Sequence, residues 1–142
     1  MASDKDKLVR DQPVGIPAEQ GPLAPYRGAQ PPAPQWFTDA VATPYETHFV
    51  ECEGVQIHYQ AWGDRTKPGL LLVHGNGAHA HWWDFVAPYL LEDYFVVAMT
   101  FSGMGDSGWR PDYTMDVFAR EQLAVCEHAG LFAHVEKPII VA

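Results

Sequence analysis

Gly69-Leu70-Leu71-Leu72-Val73-His74-Gly75-Asn76-Gly77 decides how this chain is read. The first five residues are almost all bulky and apolar, as a central strand covered on both faces requires. Gly75 and Gly77 then let the backbone turn sharply and expose its N–H groups. A strand that ends in such a turn aims free donors at one point, which suits a developing oxyanion. Asn76 adds a side-chain amide at the same mouth. On spacing alone, the glycines serve equally well as a plain turn.

Working outward, the flanks alternate between strand and helix patterns. Thr47 to Glu53 and Val55 to Trp62 are β-prone runs divided by Gly54, which predicts an antiparallel hairpin. Gly63 to Pro68 is a polar turn. Ala80 to Glu92 carries Trp82, Phe85, Val86, Tyr89 and Leu90 on one helical face. Pro88 sits awkwardly in that helix and kinks or shortens it. Tyr94 to Met99 reads as the next strand. Thr100 to Asp112 is a loop with Gly103, Gly105, Gly108 and Pro111. Thr114 or Asp116 caps a second helix that runs to about Ala129 and stops at Gly130. Val117, Phe118, Ala124, Val125 and Ala129 are its expected inward face. Pro138 to Ala142 starts another buried strand. The order β-β-β-α-β-α-β predicts an α/β fold: an antiparallel opening hairpin, then parallel strands joined by right-handed crossover helices.

Residues 1–44 are different. Eight of the twelve prolines lie there, at 13, 17, 22, 25, 31, 32, 34 and 44. Regular helix or sheet does not survive that density, so the segment reads as a flexible or polyproline-like arm ahead of a domain over 45–142. Trp36-Phe37 with Val41 is an apolar cluster able to dock as a short helix. Pro22-Leu23-Ala24-Pro25 and Pro31-Pro32-Ala33-Pro34 fit a PxxP pattern for a partner, although a linker or covering strap is the plainer reading.

Composition excludes several classes. A hydrophobic share of 47% is that of a globular chain. A net charge of −9 with scattered Lys and Arg argues against nucleic acid or an anionic membrane as partner. Cys52 and Cys126 make neither a disulfide framework nor a metal spacing, which fits a reduced, cytoplasmic setting. No apolar run reaches the roughly 18–20 residues of a membrane span. The start, Met1 to Lys7, carries both charge signs with no apolar stretch behind it, so no secretory signal is expected.

Other motifs carry less chemistry. Gly103, Gly105 and Gly108 fit G-x-G-x-x-G literally, but Trp109-Arg110-Pro111-Asp112 prolongs the loop where a dinucleotide site needs a helix to open. No cofactor is expected. His74, His79 and His81 have no carboxylate or cysteine at a supporting spacing, so no metal is expected either. The carboxylates Asp84, Glu92, Asp93, Asp112, Asp116, Glu121 and Glu127 read as solvated. Asp106 is the exception, since it can order the Gly-rich loop by accepting backbone N–H bonds.

Three stretches together carry a family resemblance: the strand with His74-Gly75-Asn76-Gly77, the loop Ser102-Gly103-Met104-Gly105-Asp106-Ser107, and the strand Lys137 to Ala142. Residues 45–142 resemble the N-terminal part of an α/β-hydrolase fold protein of the cap-bearing, esterase- and epoxide-hydrolase-like type. The resemblance implies that the backbone N–H of Asn76, joined by that of Gly77, supplies half of an oxyanion hole. It implies structural roles for His74, Gly75, Gly103, Gly105, Asp106 and Ser107. The fifth strand of such proteins leads into the nucleophile elbow, G-x-S-x-G or a version with Asp, so nucleophile, acid and catalytic His are all expected after Ala142. Ser102 and Ser107 lack the strand-to-helix elbow of a nucleophile. Two departures stand out. Thr100 occupies a position where the family often has Asp. Gly77 stands where epoxide hydrolases and haloalkane dehalogenases usually carry Pro, which tilts the reading toward a serine esterase. The implied activity is hydrolysis of a small ester-like substrate through a covalent intermediate by the full-length protein, with the 142 residues alone inactive. An Asp-nucleophile epoxide hydrolase or dehalogenase, or a non-catalytic module that binds through the Pro-rich arm, are the alternatives.

Overall fold

The computed structural model describes residues 21–142. Met1 to Lys7, Pro13 and Pro17 therefore lie outside the described residues. The chain divides into two compact units, residues 1–33 and 34–142. The first contains a 3-10 turn over Ala24–Tyr26. The second holds everything that follows.

Helix α1 spans Gln35–Val41. Strand β1 (Glu46–Cys52) turns through Glu53-Gly54 into β2 (Val55–Trp62), with Cys52 paired to Val55. Strand β3 is Gly69–Val73 and β4 is Phe95–Met99, every residue of both being buried. Helix α2 runs over Met115–Ala129 and β5 over Ile139–Val141. The five strands lie in the order β1-β2-β4-β3-β5. β1–β2 and β2–β4 are antiparallel, while β3–β4 and β3–β5 are parallel. This is the mixed sheet expected from the sequence: an antiparallel opening, then parallel strands.

Two apolar layers cover the sheet. On one face Ile57, Tyr59, Leu71, Val97 and Met99 meet Val125, Cys126 and Ala129 of α2. On the other, Trp62, Leu70, Leu72, Val96 and Ala98 meet Ala80 and Ala87. Phe37 of α1 packs on Phe85 with ring centroids 5.6 Å apart.

The helix expected over Ala80 to Glu92 is instead two 3-10 turns, Ala80–Trp83 and Ala87–Leu90. Pro88 explains the break. Its ring nitrogen offers no N–H and clashes with the preceding turn, so the chain restarts with Pro88 near the beginning of a new turn. The expected apolar face is not kept either: Trp82 and Tyr89 are largely exposed, Leu90 packs against the core, and Ala80 and Ala87 are the buried residues. Among the described residues, no helix is long and apolar enough to cross a membrane.

Candidate active site

Parallel pairing of Val73 with Met99, and of Leu72 with Val141, brings the carboxyl ends of β3, β4 and β5 to one edge of the sheet. Ligands bind at that edge in open α/β sheets. The His74 turn and the Thr100 loop both emerge there.

The first turn is built on Gly77. Ala78 N–H donates to Gly75 O at 3.2 Å, closing a four-residue turn. Gly77 has φ +72° and Asn76 does not share the positive φ, the pattern of a type II turn with glycine at its third position. Gly75, Asn76 and Gly77 are exposed, whereas His74 is buried. His74 joins this turn to the next loop. Its Nδ1 donates to Gly75 O at 2.7 Å, and its Nε2 accepts from Phe101 N–H at 3.1 Å. That pair of bonds fixes a neutral ring. Burial pushes the His74 imidazole below its ordinary value in agreement.

The Gly-rich loop is anchored at several points. Ser107 Oγ donates to Thr100 O at 2.6 Å and accepts from His58 N–H at 2.9 Å. Gly108 N–H donates to Gln56 O at 2.8 Å. Thr100 Oγ1 accepts from Ala80 N–H at 2.9 Å and lies 3.2 Å from His58 Nδ1. Thr100 therefore supplies an anchor of its own where the family often places Asp. The expectation for Asp106 is corrected here. Its side chain is largely exposed and lies 3.9 Å from His81 Nε2, so Ser107 is the residue that orders the backbone.

Glu121 is also corrected. It is fully buried rather than solvated. Its Oε2 accepts from Ser102 N–H at 3.0 Å, and its Oε1 accepts from Arg110 Nε at 2.8 Å. Arg110 also donates to Ser102 Oγ at 3.1 Å and to Cys52 O at 2.6 Å. One ion pair thus ties the Gly-rich loop, α2 and the end of β1 together. The sequence signal was present: Glu121 lies three residues after Phe118 and four before Val125, inside the apolar stripe. The same bonds occupy Ser102, and Ser107 is spent on Thr100 and His58, so neither serine is free to act as a nucleophile.

Between the two loops lies a cavity of about 330 Å³ lined by Asn76, Ser102, Gly103, Met104, Trp109, Tyr113 and Phe118. Its wall is mostly apolar. Gly103, at φ +78°, is required on two counts, because a Cβ there would sit 2.6 Å from the Tyr113 hydroxyl. Nearby, His81 Nδ1 is 2.9 Å from Asp84 Oδ2. Among the described residues, no group of three or more His, Cys, Asp or Glu side chains is placed to hold a metal.

Comparison with known proteins agrees with this fold. A family profile described as the alpha/beta hydrolase fold matches residues 68–132, which include the β3 strand and both loops. Epoxide hydrolase 3 of Xenopus tropicalis is 27% identical over 106 residues, covering 72% of this chain and 29% of that protein. A thioesterase domain from the curacin biosynthetic pathway superposes with a TM-score of 0.57 at 29% identity, over 61% of this chain and 32% of that one. The Cif epoxide hydrolase from Acinetobacter nosocomialis gives 0.57 at 26% identity, over 68% of this chain and 33% of that one. The chain therefore carries part of an α/β-hydrolase fold. It spans less than a third of the length of the curated relatives it matches, 29% and 23% for two of them.

Proposed function

We propose that this chain is the oxyanion-hole side of a hydrolase that attacks a small ester-like substrate through a covalent intermediate. The observation that carries the reading is the exposed Gly75–Ala78 turn at the end of a fully buried strand, beside an apolar cavity. The main-chain N–H of Asn76, joined by that of Gly77, stabilises the oxyanion. The cavity takes the apolar part of the substrate. Nucleophile, acid and base are supplied by residues after β5, so the 142 residues alone turn over no substrate. His74, Gly75, Gly103, Gly105 and Ser107 hold the two loops in place, and Asp106 marks the outer face of the second.

An Asp-nucleophile epoxide hydrolase is the second reading. It is favoured by the relatives named epoxide hydrolases, and opposed by Gly77 in place of Pro. Free, buried Cys52 and Cys126 fit the cytoplasmic setting. The Pro-rich arm over 1–44 is read as a strap or linker to the domain over 45–142, with a PxxP partner as the alternative.

The test uses the chain extended through the codons that follow Ala142, assayed with p-nitrophenyl acetate and styrene oxide. Proline is favoured at the second position of a type II turn, so Asn76→Pro keeps the turn and deletes one N–H. The expected loss in kcat is about 10²–10³-fold. Asn76→Ala, which keeps the N–H, should change kcat little. Unchanged turnover in Asn76→Pro would remove Asn76 from the oxyanion hole.

A further inference from the structure

We propose that Asn76-Gly77 is a self-modifying site, at which the Asn76 carboxamide deamidates and leaves a carboxylate at the mouth of the candidate active site. Asn76 is the only asparagine in the 142 residues, and glycine follows it. The reaction needs the Gly77 nitrogen to reach the Asn76 carboxamide carbon, and glycine puts no side chain in the way.

The structure leaves that approach open. Asn76 and Gly77 are exposed, and the space beside Gly77 is empty, since a Cβ there would meet nothing within 4 Å. Among the described residues, neither the Asn76 carboxamide nor the Gly77 N–H has a hydrogen-bond partner in the protein. The bond from Ala78 N–H to Gly75 O closes the turn at 3.2 Å. The segment lies between β3 and the Ala80–Trp83 turn, outside any helix or strand. Rotation about Asn76 therefore disrupts one turn and no core contact.

The step balances with water alone. The Gly77 nitrogen gives up its proton and bonds to Asn76 Cγ. The Cγ–Nδ2 bond breaks, and the amide leaves as ammonia carrying that proton. Water then opens the cyclic imide. Opening at the side-chain carbonyl yields aspartate, and opening at the main-chain carbonyl yields an isoaspartyl link. Either product adds a negative charge beside the Gly77 N–H. The isoaspartyl product also inserts a methylene into the main chain and moves that N–H. That this disables an oxyanion hole rests on the hydrolase reading; the modification itself does not.

The experiment holds the purified chain at mildly alkaline pH, folded and in urea, and follows Asn76 by peptide mass spectrometry. The readout is exchange of NH2 for OH, with fragmentation that separates aspartyl from isoaspartyl products. Conversion of the folded chain within about tenfold of the unfolded rate is expected, because an unprotected turn costs little to open. The rate should rise with pH, isoaspartate should predominate, and Gly77→Ala should slow the reaction at least about tenfold even in urea, where folding plays no part. A folded chain protected by more than about tenfold, or a Gly77→Ala rate equal to wild type in urea, would overturn the proposal. Neither readout depends on hydrolase activity, so failure here and failure of the proposed function are separable.

Discussion

His74 acts as a strut: both ring nitrogens are committed, one to each loop of the site. The sequence marked it as part of a His-Gly turn, but the Phe101 bond spans 27 residues and no local pattern announces it. His58 is buried in the same region, and burial pushes its imidazole down as well. A ring that binds protons less readily when folded leaves the unfolded chain holding more of them. Stability therefore rises with pH through this window and is lost as pH falls below the ordinary imidazole value of about 6.5. Urea melts between pH 7.5 and 5 should show the decline, and His74→Gln, with no ring to protonate, should flatten it. An equally steep fall in that variant would remove His74 from the account. Glu121 was misread because a carboxylate is usually solvated, and its Arg110 partner lies 11 residues away on a loop. Removing one member of a buried pair strands the other, so Glu121→Ala should cost about 3–5 kcal/mol. Denaturant unfolding checks this, and a loss below about 1 kcal/mol would mean that water replaces the carboxylate.

At the scale of elements, strands were legible where apolar runs are short and bounded by Gly or Pro. β3 and β4 match their readings because both faces of each are buried. The 80–92 segment was legible as apolar but not as turns, and breaking the helical period at Pro88 exposes Trp82 and Tyr89 of the expected face and puts Ala80 and Ala87 on the core instead. Helix α2 ends as its sequence indicates, with Gly130 as C-cap and Thr114 as N-cap. Thr114 Oγ1 accepts from Val117 N–H at 3.2 Å, a bond that alanine cannot make. Thr114→Ala should cost about 1 kcal/mol, within the usual 0.5–2 range for a lost cap. Thr114→Ser should recover most of that in the same melts, and no difference between the two would show that the cap contributes nothing.

At the scale of the molecule, β5 lies at one edge of the sheet and, among the described residues, pairs with β3 alone. Ile139, Ile140 and Val141 are 45%, 51% and 41% exposed, so the edge is both apolar and open to pairing with another chain. Leu123 and Phe132 extend the exposed apolar surface beside it. The isolated 142-residue chain should therefore self-associate, giving light-scattering masses above monomer and a broad melt. A soluble monomer with a sharp cooperative transition would contradict this. The same edge gives the account its direction. The β3 turn, the Gly-rich loop and the end of β5 converge on one edge of the sheet, and the chemistry proposed there needs a nucleophile delivered from β5. The measurement that tests this most directly is the reading frame beyond the codon for Ala142. The account predicts that it continues as Gly-x-Ser-x-Gly or Gly-x-Asp-x-Gly, the central residue naming the nucleophile. A stop codon there, or a continuation with neither pattern, would contradict the hydrolase assignment and leave only the fold.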